Sequence, residues 1–458
     1  MNLPTALVLL SMVIAGAMFV SRRVQPGHVD FLTPLLGLYF VHSVTRAWCD
    51  WYWPELYRLN AVVQMAGEAG LVDALLLTAA CLAVLTVAYL AVMRFRVAQE
   101  PPRDSISVPR FDVGLGLLLV GFDCRLLLRL HSAQLLTLPD SLLTPIETMG
   151  WTALAGLFLL AYRSGRLAKD SSGRDAAAIV AVVGAVAILI VDGRFAVSRE
   201  NPLQIGLALL CGRAIAGGMS LSRLAIVCVI VSVPVFVWIG ALKSFQEGEL
   251  GEGRGYVEGI SVVREEKQQS LTEYALGSIQ GRLHGLDSVV VCRHIVPDMR
   301  PFEEGSAWTR ILVSAFVPRA LAPEKQVGWG TRFAVDFWGL SARSAGSASV
   351  GPSQIGNLYL YGGVPSCLSG MAILGAGLSL LAEALRRRRD AFGYLLFFLT
   401  AVTICQVERD LEMALGGVLK LVALFGVAAG VGKLLLHPRN DGTPSPGTEA
   451  AGLAVEAR

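Results

Sequence analysis

The sequence contains no Cys-x-x-Cys pair, no Gly-x-x-x-x-Gly-Lys-Ser/Thr loop and no internal repeat. The first absence argues against a thiol-held metal centre or a dithiol redox site, and the second against a nucleotide-driven machine. Charge is scarce: 16% of the 458 residues are Asp, Glu, Lys or Arg, against about 25% in soluble domains. With 54% hydrophobic residues and a mean hydropathy of +0.57, that scarcity excludes a water-soluble globular fold. The net charge of +3 carries little information, because in a membrane protein the sidedness of Lys and Arg matters more than their sum. The opening stretch lacks a basic n-region and an Ala-x-Ala-like cleavage site, so it reads as a retained first span rather than a secretory signal. The eight cysteines fall mostly inside apolar runs and read as small core residues. Only Cys49 and Cys292 fall in outer loops, and a disulfide between them is not expected. No cofactor, no metal and no nucleic-acid partner are expected.

What the chain has instead is apolar runs near the roughly 17–25 residues that cross a hydrocarbon core. They predict an all-α polytopic membrane protein of about eleven transmembrane helices, at residues 3–20, 31–44, 71–93, 111–130, 149–162, 176–191, 203–219, 221–242, 359–381, 392–406 and 411–434. Short loops carrying Arg22 and Arg23, then Arg94 and Arg96, then Arg163, Arg166 and Lys169, and finally Arg386 to Arg389, belong on the cytoplasmic side. They agree with one another only if both apolar runs between 203 and 242 cross. The N-terminus and a large loop at 246–351 are then outside. Residues 1–245 hold the helices before that loop, 352–436 hold those after it, and 437–458 form a cytoplasmic tail rich in Gly, Pro, Ser and Thr that is expected to be disordered. The outer loop containing Trp48, Trp51, Tyr52, Trp53 and Tyr57 reads as an interfacial aromatic belt, with a sugar-stacking platform as the alternative.

Candidate chemistry concentrates in the loop at 246–351. Taken as one helix, Arg282 and Arg293 are about 20° apart around the axis, while His284, Asp287 and His294 share the opposite face. One side could clamp an anion, since a guanidinium offers a bidentate, permanently charged fork to phosphate oxygens. The other side holds titratable groups. An amphipathic helix with its arginines on lipid headgroups explains the spacing equally well. Arg319 follows Pro318, and Lys325 follows the turn at Pro323, so both cations sit on a stiff segment. Arg194 and Arg199 fall on the same outer side, between the sixth and seventh spans. Asp112, Asp123, Arg125, Arg129, Arg213 and Lys420 lie inside or beside spans, where ionisable groups usually face an interior; Lys420 is nearest mid-span.

Several elements occur in a definite order: Arg282-Leu283-His284-Gly285-Leu286-Asp287, Val317-Pro318-Arg319, Pro323-Glu324-Lys325, Gly330-Thr331-Arg332-Phe333 and Gly356-Asn357-Leu358-Tyr359-Leu360-Tyr361-Gly362. In this order the chain resembles the bacterial O-antigen and exopolysaccharide repeat-unit polymerases (Wzy type). The likeness runs over about 282–370; elsewhere it extends only to many spans and one large outer loop. Two positions depart from the family pattern: Gln326 stands where a Pro often follows the Lys, and Asn357 where an acid often follows the Gly.

The resemblance implies a GT-C-like multi-span glycosyltransferase in the bacterial inner membrane. Its activity would be metal-independent transfer of a growing glycan from undecaprenyl pyrophosphate to a hydroxyl of the next lipid-linked repeat unit. A flippase and a chain-length regulator would be its partners. Arg282, Arg293, Arg319, Lys325, Arg332, Arg194 and Arg199 would hold the pyrophosphate, Asn357 and Tyr359 would position the acceptor, and His284, Asp287 or His294 would take its proton, with His284 first. An O-antigen ligase would share the donor and differ in the acceptor. A transporter or flippase for lipid-linked sugars would instead place its charges and broken helices near the midplane.

Overall fold

A computed structural model of the chain describes residues 1–24, 30–48, 61–96, 109–132, 134–167, 176–195, 200–217, 284–303, 329–339, 350–388 and 390–436. Among the described residues the fold is all-helical, with no strand. Four helical stretches, Leu3–Ser21, Val62–Arg94, Ser141–Leu167 and Gly363–Leu385, are long and apolar enough to cross a membrane. Three shorter apolar helices accompany them at Ala176–Val191, Gln204–Gly217 and Ala391–Ile404. The expected span at 221–242 and the tail at 437–458 lie outside the described residues.

The helices form two packed groups. The first joins α1 (Leu3–Val24), α2 (Leu32–Tyr39), α3 (Ala61–Arg96) and later elements around Leu10, Leu35, Leu75 and Leu82. The second joins α4 (Phe111–Ser132), α6 (Thr152–Leu167), α7 (Ala176–Phe195) and α8 (Glu200–Gly217); α5 (Asp140–Gly150) leads into α6. Close backbone approach holds the second group together. A Cβ on Gly121 would stand 2.0 Å from the Ala153 amide nitrogen, and one on Gly156 would stand 2.4 Å from that of Leu118. Small residues at helix crossings are the usual means of association where lipid removes the hydrophobic driving force. Helix α7 repeats the logic: Ala177, Ala181 and Ala185 face the protein, while Ile179, Val182, Val183, Val186 and Ile190 form an exposed stripe. A continuous bulky apolar stripe of this kind is tolerated when its solvent is hydrocarbon.

Helices α13 (Ala391–Ile404) and α14 (Leu411–Leu436) serve both groups. On α13, Phe397 meets Phe31 of the first group at 4.8 Å between ring centroids, and Phe398 meets Phe158 of the second at 5.2 Å.

Several expected elements differ in detail. The second span is α-helical from Leu32 to Tyr39, passes through one π-helical turn (the π-turn), Phe40–Thr45, and stays helical through 46–48. The third begins earlier than expected, at Ala61, and bends at Gly67, whose φ of +60° breaks the helical backbone. The ninth is two helices, α11 (Gln354–Leu360) and α12 (Gly363–Arg388), separated by a turn. The left-handed φ of +65° at Gly363 explains that break, since a continuous right-handed helix cannot accommodate it. Lys420, the charge nearest mid-span, is exposed on α14.

Candidate functional site

One end of the first helical group collects the polar residues. The Leu3 N–H donates to Glu68, so the starts of α1 and α3 lie together. Beside them are the π-turn, helix α9 (Gly285–Ile295), α11 and the loop joining α13 to α14. Hydrogen bonds knit these segments. Ser288 Oγ donates to the Gly351 carbonyl at 2.8 Å, the Gln354 amide N–H donates to the Val407 carbonyl at 3.1 Å, and its side chain donates to the Ile404 carbonyl at 2.8 Å. Tyr39 Oη donates to Gln354 Oε1 at 3.0 Å.

Helix α9 is a core helix, since Leu286, Val289, Val290, Val291 and Cys292 are all buried. That burial answers the alternative of a helix lying on headgroups. Burial also pushes the free Cys292 thiol up from its ordinary range; Cys49 lies outside the described residues. The helix starts at Gly285, with His284 just before it at φ −84° and ψ +5°. The expected single helix through His284 is therefore corrected: that side chain sits ahead of the first helical turn. It is buried, and its ring meets Trp338 edge-on at 6.2 Å. Asp287 is fully buried and ion-paired with Arg46 Nε at 3.2 Å, with both side chains 0% exposed. His294 is half-buried.

Two of the expected cations are described. Arg293 spans Asp73, at 3.1 Å to Oδ2 and 3.2 Å to the main-chain oxygen, and lies over the Tyr359 ring at 5.8 Å. Arg332, on α10 (Trp329–Asp336), donates to Glu303 Oε1 at 2.8 Å and to Asp336 Oδ2 at 3.3 Å. Arg282, Arg199, Arg319 and Lys325 lie outside the described residues. Arg194 falls within α7, and its side chain lies outside them too.

Asn357 and Tyr359, expected to position an acceptor, are on α11. Asn357 is fully buried, and its Oδ1 accepts from the Leu411 N–H at 3.3 Å, capping the start of α14. Tyr359 meets Phe302 edge-on at 6.1 Å. Phe333 is buried against Phe337 and Trp338, which links α10 to His284.

The structure adds Arg46, His42 on the π-turn and Gln354, which the sequence did not single out, and brings Glu408 and Asp410 of the loop before α14, which the sequence offered only as distant partners for Lys420, to the same end of the fold. His42 Nε2 stands 3.6 Å from Glu408 Oε2. Asp410 is nine-tenths buried or more; its Oδ1 accepts from the Met413 N–H at 2.6 Å, and among the described residues its Oδ2 has no hydrogen-bond partner. Burial, opposed mainly by the bond to Met413, raises its carboxyl to about 6. The one signal available beforehand was the i, i+4 spacing of His42 and Arg46 at the end of an apolar run.

No known protein-family model matches the chain, and no match was found among curated proteins or among solved structures.

Proposed function

We propose that the chain polymerises undecaprenyl-pyrophosphate-linked oligosaccharide repeat units into O-antigen or exopolysaccharide at the outer face of the bacterial inner membrane. It crosses that membrane about eleven times, with the N-terminus and residues 246–351 outside. The observation that carries the reading is convergence. The segments bearing His284 to His294, Arg332 to Trp338 and Gly351 to Tyr361 are far apart in sequence. They meet at one end of the apolar helices through the Ser288–Gly351, His284–Trp338 and Arg293–Tyr359 contacts.

In the reaction, the acceptor hydroxyl oxygen bonds to the anomeric carbon of the donor glycan. The bond from that carbon to the phosphate oxygen breaks, and its electron pair leaves with undecaprenyl pyrophosphate. Fixed cations at the membrane surface stabilise the charge that develops on the leaving group. Arg293 and Arg332 belong to that set, with Arg282, Arg319, Lys325, Arg194 and Arg199 supplied by the outer segments. Tyr359 orients the acceptor, Asn357 acts on it only indirectly by holding α11 against the start of α14, and the hydroxyl needs a base within hydrogen-bond reach. His284, Asp287 and His294 are the titratable groups that helix α9 and its N-cap offer.

Removing the protein from its native host tests the reading. Single lipid-linked repeat units should accumulate and long polymer should vanish. An undiminished polymer ladder would refute polymerisation. Polymer that is made but not attached to its final acceptor would favour the ligase.

A further inference from the structure

We infer that Glu408, oriented by His42, is the general base that takes the proton from the acceptor hydroxyl. This inference rests on the proposed transferase reading and names a residue of the same site. Three observations carry it. The first is access: the Glu408 side chain is 30% exposed, whereas Asp287 is fully buried in its pair with Arg46 and His284 is buried beside Trp338.

The second observation is position. The loop bearing Glu408 lies along the segment that leads into α11. The Val407 carbonyl accepts from the Gln354 N–H, and a Cβ on Gly351 would stand only 2.8 Å from the Glu408 carbonyl. The Arg409 N–H closes the turn onto the Gln406 carbonyl at 3.0 Å. The backbone around the carboxylate is therefore fixed against the same segment that carries Asn357 and Tyr359.

The third observation is orientation. His42 projects from a π-turn, a backbone form that recurs at functional sites. Its Nε2 faces Glu408 Oε2 at 3.6 Å, longer than a hydrogen bond, as catalytic contacts often are before substrate binds. Among the described residues its Nδ1 is buried without a hydrogen-bond partner, next to Gly285 at the start of α9. A buried ring nitrogen left unused is poorly explained by packing alone. Donation from Nε2 to Glu408 gives it a role, steering the second carboxylate oxygen outward. Arg409 and Asp410 follow Glu408 in sequence.

In this step the hydroxyl proton passes to a Glu408 carboxylate oxygen while the hydroxyl oxygen bonds to the anomeric carbon. The protonated carboxyl then releases the proton to outside water. Glu408 is thus catalytic, and His42 is a positioning residue.

The test measures polymer formed by wild-type and variant protein in membranes supplied with lipid-linked repeat units extracted from cells lacking the protein. Glu408→Gln should lower the rate about 100- to 10,000-fold with unchanged protein level and unfolding temperature. Glu408→Asp should retain part of it, and added formate should restore part of the activity of Glu408→Ala. His42→Gln should fall between wild type and Glu408→Gln. A wild-type rate in Glu408→Gln overturns the assignment, and so does a Glu408→Ala loss that formate does not relieve. Wild-type protein that forms no polymer overturns the transferase reading itself, independently of the base.

Discussion

Replacing Asp410 with Asn isolates one buried carboxyl. Asp410 caps α14 through Oδ1, and Asn is an equally good N-cap, so the helix start survives. The change removes the capacity to ionise. Burial raises this carboxyl from 3.8 to about 6, which means the folded state holds the proton more tightly than the unfolded chain. The associated stability is therefore complete below about 4 and is lost as pH rises through about 6. At about 1.36 kcal/mol per pKa unit, the whole effect is about 3 kcal/mol. Roughly half of it, about 1.4 kcal/mol, falls between pH 5 and pH 8. The measurement is the unfolding temperature of purified protein in lipid nanodiscs, followed by intrinsic fluorescence of its eight tryptophans, for wild type and Asp410→Asn side by side. Taking the difference between the two proteins cancels every other titrating group. Asp410→Asn should gain on wild type by a few degrees between pH 5 and pH 8, at about 2–4 °C per kcal/mol. A difference that is flat across this range, or that runs the other way, would refute the argument from burial.

Two further outcomes are expected. Arg46→Ala leaves the Asp287 carboxylate buried without its guanidinium and should cost about 3–5 kcal/mol, seen as loss of folded protein on size-exclusion chromatography. Arg46→Met combined with Asp287→Leu should recover most of that loss, and equal yields from wild type and Arg46→Ala would contradict the buried pair. Topology reporters fused at Gly253 and at Asp390 should behave oppositely, the first as outside and the second as cytoplasmic; the same compartment for both would remove the outer-face placement of the site.

The sequence by itself determined the solvent of this protein and the class of its elements. Scarce charge and long apolar runs require helices, because helices alone satisfy every backbone group within one segment in hydrocarbon. It also marked the segment around α9, since Arg293, His294 and Asp287 are unusual so close together. Other features depended on contacts between distant residues. The pairing of Arg46 with Asp287 joins residues 241 positions apart, and no local periodicity encodes it. The break before α12 was hidden because Tyr359 to Leu381 reads as one apolar run, while the backbone reversal depends on the conformation of a single glycine. Asn357 looked like a lost acid; only the fold reveals that its side chain caps α14. Glu408 and His42 are unremarkable in their own neighbourhoods. Only tertiary packing, which sets the π-turn against the loop between α13 and α14, makes a pair of them.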